Sequence, residues 1–147
     1  MTLAADGLIT IPSSYGPAET MNRFEAEIRA KGMNVFARID HAAGATAVGL
    51  SLRPTELLIF GNAKAGTPLM QFVQTIGIDL PLKALVWQDA EEVTWLSYNA
   101  PDWLMKRHSA GDGTEPAVST MTAALNSVAK KATAPRQPMA LNPGGKS

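Results

Sequence analysis

Lys83-Ala84-Leu85-Val86-Trp87-Gln88 and Val93-Thr94-Trp95-Leu96-Ser97-Tyr98, separated by Asp89-Ala90-Glu91-Glu92, decide the fold class. Two strand-length runs with so short a connection predict an antiparallel hairpin. Upstream, Leu57-Leu58-Ile59-Phe60 is a continuous apolar run of strand length, the pattern of an interior strand. Asn34 to His41 alternates instead, with Val35, Ala37 and Ile39 expected on one face and Phe36, Arg38 and Asp40 on the other. Leu8-Ile9-Thr10-Ile11, closed by Pro12, reads as the first strand.

Helical patterns fill the intervals. Pro17 suits a first helical position and Gly32 a left-handed stop, with Met21, Phe24 and Ile28 forming the apolar stripe between them. Small residues around Gly44 predict a short helix running into a turn. Thr67 is the expected cap of a helix starting at Pro68, with Leu69, Phe72, Val73 and Ile76 inward and Gly77 as its stop. Asn99 is expected to cap a short helix from Pro101 through Arg107. Gly111-Asp112-Gly113 reads as a flexible break before a last helix, capped by Ser119 or Thr120, that turns Met121, Leu125 and Val128 inward. Residues 1–132 are thus expected to form one α+β domain, a largely antiparallel β-sheet with helices packed on one face. From Thr133 to Ser147 the chain has prolines, glycines and no acid, and a flexible tail is expected.

Composition removes several function classes. A chain of 147 residues suits one domain, and with 46% hydrophobic and 18% charged residues it is too apolar for disorder. Thirteen basic residues balance thirteen acidic ones, so no net field draws the chain to nucleic acid or to a membrane surface. The absence of cysteine excludes disulfides, thiol catalysis and cysteine-based metal sites, and two histidines are too few for a histidine-rich one. No metal and no other cofactor is expected. No apolar stretch approaches the roughly 20 residues of a membrane helix. The N-terminal segment lacks the basic and apolar regions of a secretory signal, so a soluble, cytoplasmic protein is expected.

Five collinear segments carry a resemblance. Arg38-Ile39-Asp40-His41-Ala42-Ala43-Gly44-Ala45, Leu52 through Asn62, Lys64-Ala65-Gly66-Thr67-Pro68-Leu69-Met70, Ile78-Asp79-Leu80-Pro81-Leu82-Lys83 and Leu96-Ser97-Tyr98-Asn99 resemble the domain of unknown function family 302, small bacterial and archaeal proteins. The resemblance spans about Phe24 to His108. It implies an antiparallel sheet with helices against it and a tendency to homodimerise, and it implies no activity. The family's pattern carries over to His41, Asn62, Gly66, Thr67, Asp79, Pro81 and Tyr98. Where this chain has Ala63 the family commonly has proline, which implies a less rigid segment here.

The candidate site is the segment Gly61 to Thr67, read as a glycine-bounded loop between a strand and a helix N-terminus. Free amides and the helix dipole suit such a place to an anion. Gly61 and Gly66 have the spacing of a nucleotide-binding loop, but Thr67 stands where that pattern needs lysine. The plain alternative is that the glycines permit the turn and Thr67 caps the helix. The expected ligand-binding residues are Asn62, Lys64, Gly66 and Thr67, with His41 and Tyr98 contributing. His41 is also the candidate acid/base, needing Asp79, Glu56 or Tyr98 as partner. A metal site of His41, Asp79 and His108 has no supporting spacing, and Asp79 is expected to turn the chain into the next strand. Trp95 and Tyr98 are expected on opposite faces. The leading expectation is a homodimeric domain that binds a small anionic or polar ligand. The alternatives are a hydrolase- or isomerase-type enzyme using His41, and a protein-interaction module.

Overall fold

The computed structural model describes residues 5–110 and 112–136. Its elements are β1 (Leu8–Pro12), α1 (Pro17–Ala30), β2 (Asn34–Asp40), α2 (His41–Ala47), β3 (Thr55–Gly61), α3 (Ala63–Phe72), β4 (Leu82–Gln88), β5 (Thr94–Asn99), α4 (Pro101–Arg107) and α5 (Glu115–Thr133). Short 3-10 turns occupy Gln74–Ile78 and Asp112–Thr114. The strands form a single sheet in the order β1-β5-β4-β3-β2. Every pairing in it is antiparallel. The expected α+β class, with helices packed on the sheet, is the observed one.

Register sorts the side chains. Leu58 and Phe60 of β3 pair with Ala84 and Leu82 of β4, and Ala84 and Val86 pair with Tyr98 and Leu96 of β5. Directly opposed residues share a face, and this face is buried. Against it α1 sets Met21, Phe24 and Ile28, all fully buried. Each contributes about 2 kcal/mol by leaving water. The Phe24 and Phe60 rings meet edge to face with centroids 5.4 Å apart. Leu125, Val128, Ala129 and Ala132 of α5 complete the same core.

The other face carries Ala37, Ile39, Leu57, Ile59, Leu85, Trp87 and Trp95, half-buried or exposed. Trp87 and Trp95 are directly opposed and stack, with centroids 6.1 Å apart. Trp87 Nε1 donates to Ser97 Oγ at 2.9 Å, and Ser97 bonds Thr10 at 2.8 Å. In the hairpin turn Asp89 accepts from the Trp95 indole and from the Val93 and Glu91 amides. The indole first and the amides next hold its carboxyl below the usual range.

Three helix starts differ from the sequence reading. Helix α3 begins at Ala63, not Pro68, because Asn62 caps it by accepting from the Ala65 amide at 2.7 Å. Pro68 therefore lies inside the helix, where it has no N–H to offer the Lys64 carbonyl one turn back. Ala100, not Asn99, occupies the cap position of α4, with Pro101 following. Helix α5 begins at Glu115 with Pro116 in its first turn, ahead of the expected cap at Ser119 or Thr120. It ends at Thr133, which is buried and accepts from the Ser14 amide at 2.8 Å, so Thr133 belongs to the domain and not to a tail. Gly111 of the expected break and residues 137–147 of the expected tail lie outside the described residues.

Strand β2 departs from simple alternation. Val35 pairs with Phe60 but Ala37 pairs with Ile59, so Phe36 is an extra, bulged residue. Val35 consequently shares the helix-covered face with Arg38 and Asp40, while Ala37 and Ile39 lie on the other. The expected grouping of Val35 with Ala37 and Ile39 fails at that bulge.

Candidate functional site

The Gly61–Thr67 segment is not a loop: Gly61 ends β3, Asn62 caps α3 and Ala63 to Thr67 begin that helix. Asn62 spends its side-chain oxygen on the helix cap, and Lys64 and Thr67 are exposed helical residues. At Gly66 a side chain would begin 3.6 Å from Leu80 and 3.8 Å from Met70, ordinary contact distance, so α3 runs close beside the strand-leading segment Leu80-Pro81. The Leu80-Pro81 peptide is cis.

Beside this turn opens a cleft of about 670 Å³. One wall is α3 from Asn62 to Met70, a second is Leu80-Pro81-Leu82, and a third is the N-terminal half of α5. Pro116, Thr120 and Ala124 recur at i, i+4 and i+8, which places them on one helix face. Space exists because the facing positions are small: Ala63, Gly66, Ala117 and Ala124. Bulged Phe36, 57% exposed, joins Met33 at the lining. A bulge re-aims a side chain in this way. The lining is mostly apolar, and among the described residues its only charged members are Lys31 and Lys64, both exposed.

Of the residues singled out in the sequence, Asn62, Lys64, Gly66 and Thr67 line this cleft together. His41 and Tyr98 do not. His41 is the exposed first residue of α2. It follows Asp40, which pairs with Glu56, whereas the cleft lies where Asn34 pairs with Gly61. Six strand residues separate the two ends, about 20 Å. Asp40 is the cap of α2, accepting from the Ala43 amide at 2.8 Å. The partners considered for His41 are all engaged elsewhere. Glu56 takes Arg38 at 2.6 Å, and Arg38 also reaches Glu25 at 3.0 Å. Tyr98 donates to Asn126 Oδ1 at 2.6 Å from the covered face of the sheet, and burial raises its phenol above the ordinary value.

Asp79 is the residue whose role the sequence reading missed. It accepts from Arg107 at 2.8 Å and meets His108 Nε2 at 2.5 Å, while His108 Nδ1 bonds Thr75 at 3.0 Å. These bonds tie the 3-10 turn after α3 to the end of α4, so Asp79 holds two elements together instead of capping a local turn. His41 does not join this pair, and among the described residues no group of three or more histidines and carboxylates is placed to hold a metal ion.

An antiparallel five-stranded sheet with helices on its covered face and an apolar cleft at one end define a two-layer α+β domain. Residues 9–131 match the family described as Domain of unknown function DUF302. The chain belongs to that family, and the match reaches well beyond Phe24 to His108 on both sides. A crystal structure of an uncharacterized conserved DUF302 protein from Bacillus stearothermophilus has the same fold, with a TM-score of 0.77 over 87% of this chain and 99% of that one at 20% identity. The Fluoride-specific ion channel FluC 1 of Brucella suis is 48% identical over 126 residues, 86% of this chain and 50% of that protein. The Fluoride-specific ion channel FluC 2 of Brucella melitensis is likewise 48% identical, over 86% of this chain and 47% of its own length. The chain thus spans about half the length of these curated relatives. Among the described residues no helix is long and apolar enough to cross a membrane.

Proposed function

We propose that the domain binds a small amphipathic ligand, apolar in its body and carrying one anionic group, in the cleft between α3 and α5. The observation that carries this reading is the lining: mostly apolar side chains, with Lys31 and Lys64 as the only charges among the described residues. A volume of about 670 Å³ lies inside the range of small-molecule pockets, which pair an apolar wall with a few orienting polar groups. The first turn of α3 adds little anion-binding power, because Asn62 already satisfies the Ala65 amide. The ligand's charge therefore goes to the lysines and its bulk to the wall. Nothing in the surroundings of His41 favours an acid/base role over this reading.

Thermal unfolding with decanoate, decanol and inorganic phosphate tests it. Decanoate is expected to stabilise most, by about 2.7 kcal/mol at a hundredfold excess over its dissociation constant. Decanol is expected to stabilise less and phosphate through this cleft not at all. Lys31→Ala with Lys64→Ala is expected to bring decanoate down to the level of decanol. Equal responses of wild type and double variant to decanoate refute the assignment of the charge, and no response to either decyl compound refutes the cleft.

A second observation favours self-association through the open sheet face. Five strands spaced about 4.8 Å apart and five to seven residues long present roughly 500 Å² per copy, or about 1,000 Å² when two faces meet. That matches the area a specific interface needs, about 1,000 Å². The face is largely apolar, with Ile39 40% exposed and Lys83 opposite Ile59 as a charge on it, and the stacked tryptophans are of the type enriched at interfaces. A homodimer at micromolar concentration is the expected result of sedimentation equilibrium. Leu57→Lys with Leu85→Lys is expected to convert it to monomer, and a monomeric wild type refutes the reading.

A further inference from the structure

The chain's net charge is zero, yet its cations are unevenly placed. Where the C-terminal end of α5 meets α1, Arg23, Lys130, Lys131 and Arg136 surround a concavity of about 400 Å³ together with one carboxylate, Glu27. Among the described residues no carboxylate lies within salt-bridge distance of Lys130, Lys131 or Arg136. Four like charges around one hollow repel each other and raise the free energy of the empty site.

A helix C-terminus explains part of this. Its partial negative charge favours cations in the last turn, and Lys130 and Lys131 stand there. Arg23 lies within α1 and Arg136 lies beyond α5, so the dipole accounts for neither. Arg23 is also held in place: its guanidinium stacks over the Tyr15 ring at 4.2 Å, with Glu19 3.6 Å from one terminal nitrogen. Its Nε is buried and has no hydrogen-bond partner. An oriented guanidinium lining the same hollow as three cations without carboxylate partners is an arrangement that an anion with several oxygens completes.

We propose that this hollow binds a phosphate-bearing anion, with Arg23 as the positioned fork and Lys130, Lys131 and Arg136 as the neutralising charges. The site is separate from the apolar cleft. Thr120 lines the cleft and Lys131 lines the hollow, about 16 Å apart along the helix axis. The volume suits one or two phosphate groups. The phosphate belongs either to a soluble metabolite or to a lipid headgroup.

Calorimetric titration of the full chain with sodium pyrophosphate at low ionic strength tests the site. Wild type is expected to bind, and Lys131→Glu with Arg136→Glu to weaken binding by about tenfold or more, while Lys64→Ala leaves it unchanged. Should the charge reversals lower the melting temperature without ligand, Lys131→Gln with Arg136→Gln gives the same comparison. Arg23→Lys keeps the charge but loses the fork, and is expected to weaken binding as well. Cosedimentation with phosphatidylglycerol vesicles, against phosphatidylcholine vesicles, separates the sources. Pyrophosphate binding alone assigns the soluble anion, and pyrophosphate plus phosphatidylglycerol binding, both lost in the variants, assigns the headgroup. Absence of pyrophosphate binding, affinity equal in wild type and charge-reversed chain, or binding to vesicles without binding to pyrophosphate each overturns the proposal.

Discussion

Asn62→Ala and Thr67→Ala form a pair whose order of stability depends on where α3 begins. Asn62 is the cap, with its Oδ1 2.7 Å from the Ala65 amide. Removing that oxygen leaves the amide with only the long 3.3 Å bond to the Asn62 carbonyl, at a cost of about 1 kcal/mol. Thr67 sits inside the helix, exposed, where alanine is the better helix former by about 0.5 kcal/mol. Thr67→Ala is therefore expected to be neutral or slightly stabilising, and the two variants to differ by about 1.5 kcal/mol. In a domain of this size that is a separation of about 4 °C in melting temperature, within reach of differential scanning calorimetry on matched samples. Urea titration supplies the free energies, provided the slopes of the two transitions agree. A Thr67→Ala variant less stable than Asn62→Ala refutes the reasoning, since it restores Thr67 as the cap and Gly61–Thr67 as a loop.

Ala63→Pro is expected to stabilise by about 0.5 kcal/mol in the same assay. Position 63 is the first helical residue, and the extended Asn62 before it (φ −148°, ψ 151°) already has the conformation proline imposes on its predecessor. Gly7→Ala is expected to cost about 2 kcal/mol or more, because Gly7 has φ +76° and a Cβ there would fall 2.3 Å from the Trp103 ring; an unchanged urea midpoint contradicts this. Tyr98→Phe is expected to cost about 1 kcal/mol at neutral pH for the lost bond to Asn126. Because burial raises the Tyr98 pKa, its stabilisation is complete below the unfolded value of about 10 and is lost as pH rises through the folded one; the variant's alkaline decline is expected to be shallower. Glu25 is held below the usual carboxylate range by hydrogen bonds from Arg29 first and Arg38 next. Its contribution is present above about pH 4.3 and is lost as pH falls through the lowered value, so Arg29→Ala is expected to flatten that acid limb.

What the sequence made legible was whatever depends on local period. Both hairpin strands, the apolar run at Leu57 to Phe60 and the Met21, Phe24, Ile28 stripe lie as their spacing requires, since alternation and helical recurrence are properties of the chain before it folds. Helix starts were less legible because competing cap residues stand within one segment. Asn62 and Thr67 are both residue types whose side-chain oxygen can cap a helix, Pro68 favours a start at Thr67, and only the family's proline at position 63, read as loop stiffening, pointed to a helix beginning there. That error conceals the cleft's true nature. A glycine-bounded loop with a lysine suggests an anion held by free amides. The same residues on a capped helix present small side chains toward α5 and leave an apolar wall.

The longer-range features follow from pairings that no local pattern contains. Asp79 and His108 meet across 29 positions of sequence, and the bulge at Phe36 becomes visible only when β2 is laid against β3. The distance between His41 and the cleft has the same origin. His41 and Asn62 flank the hairpin-like pair β2 and β3, but antiparallel pairing sends the end of β2 to the start of β3 and puts the end of β3 beside the start of β2. Family-pattern residues at the ends of two adjacent strands were therefore gathered into one expected site, when the topology assigns them to opposite ends of the sheet. The cleft draws its third wall instead from Pro116 to Leu125, a stretch whose first residues were read as preceding the helix. Ala117 and Ala124 matter there for the volume they leave empty, and an absence of side chain becomes informative only once the facing wall is known.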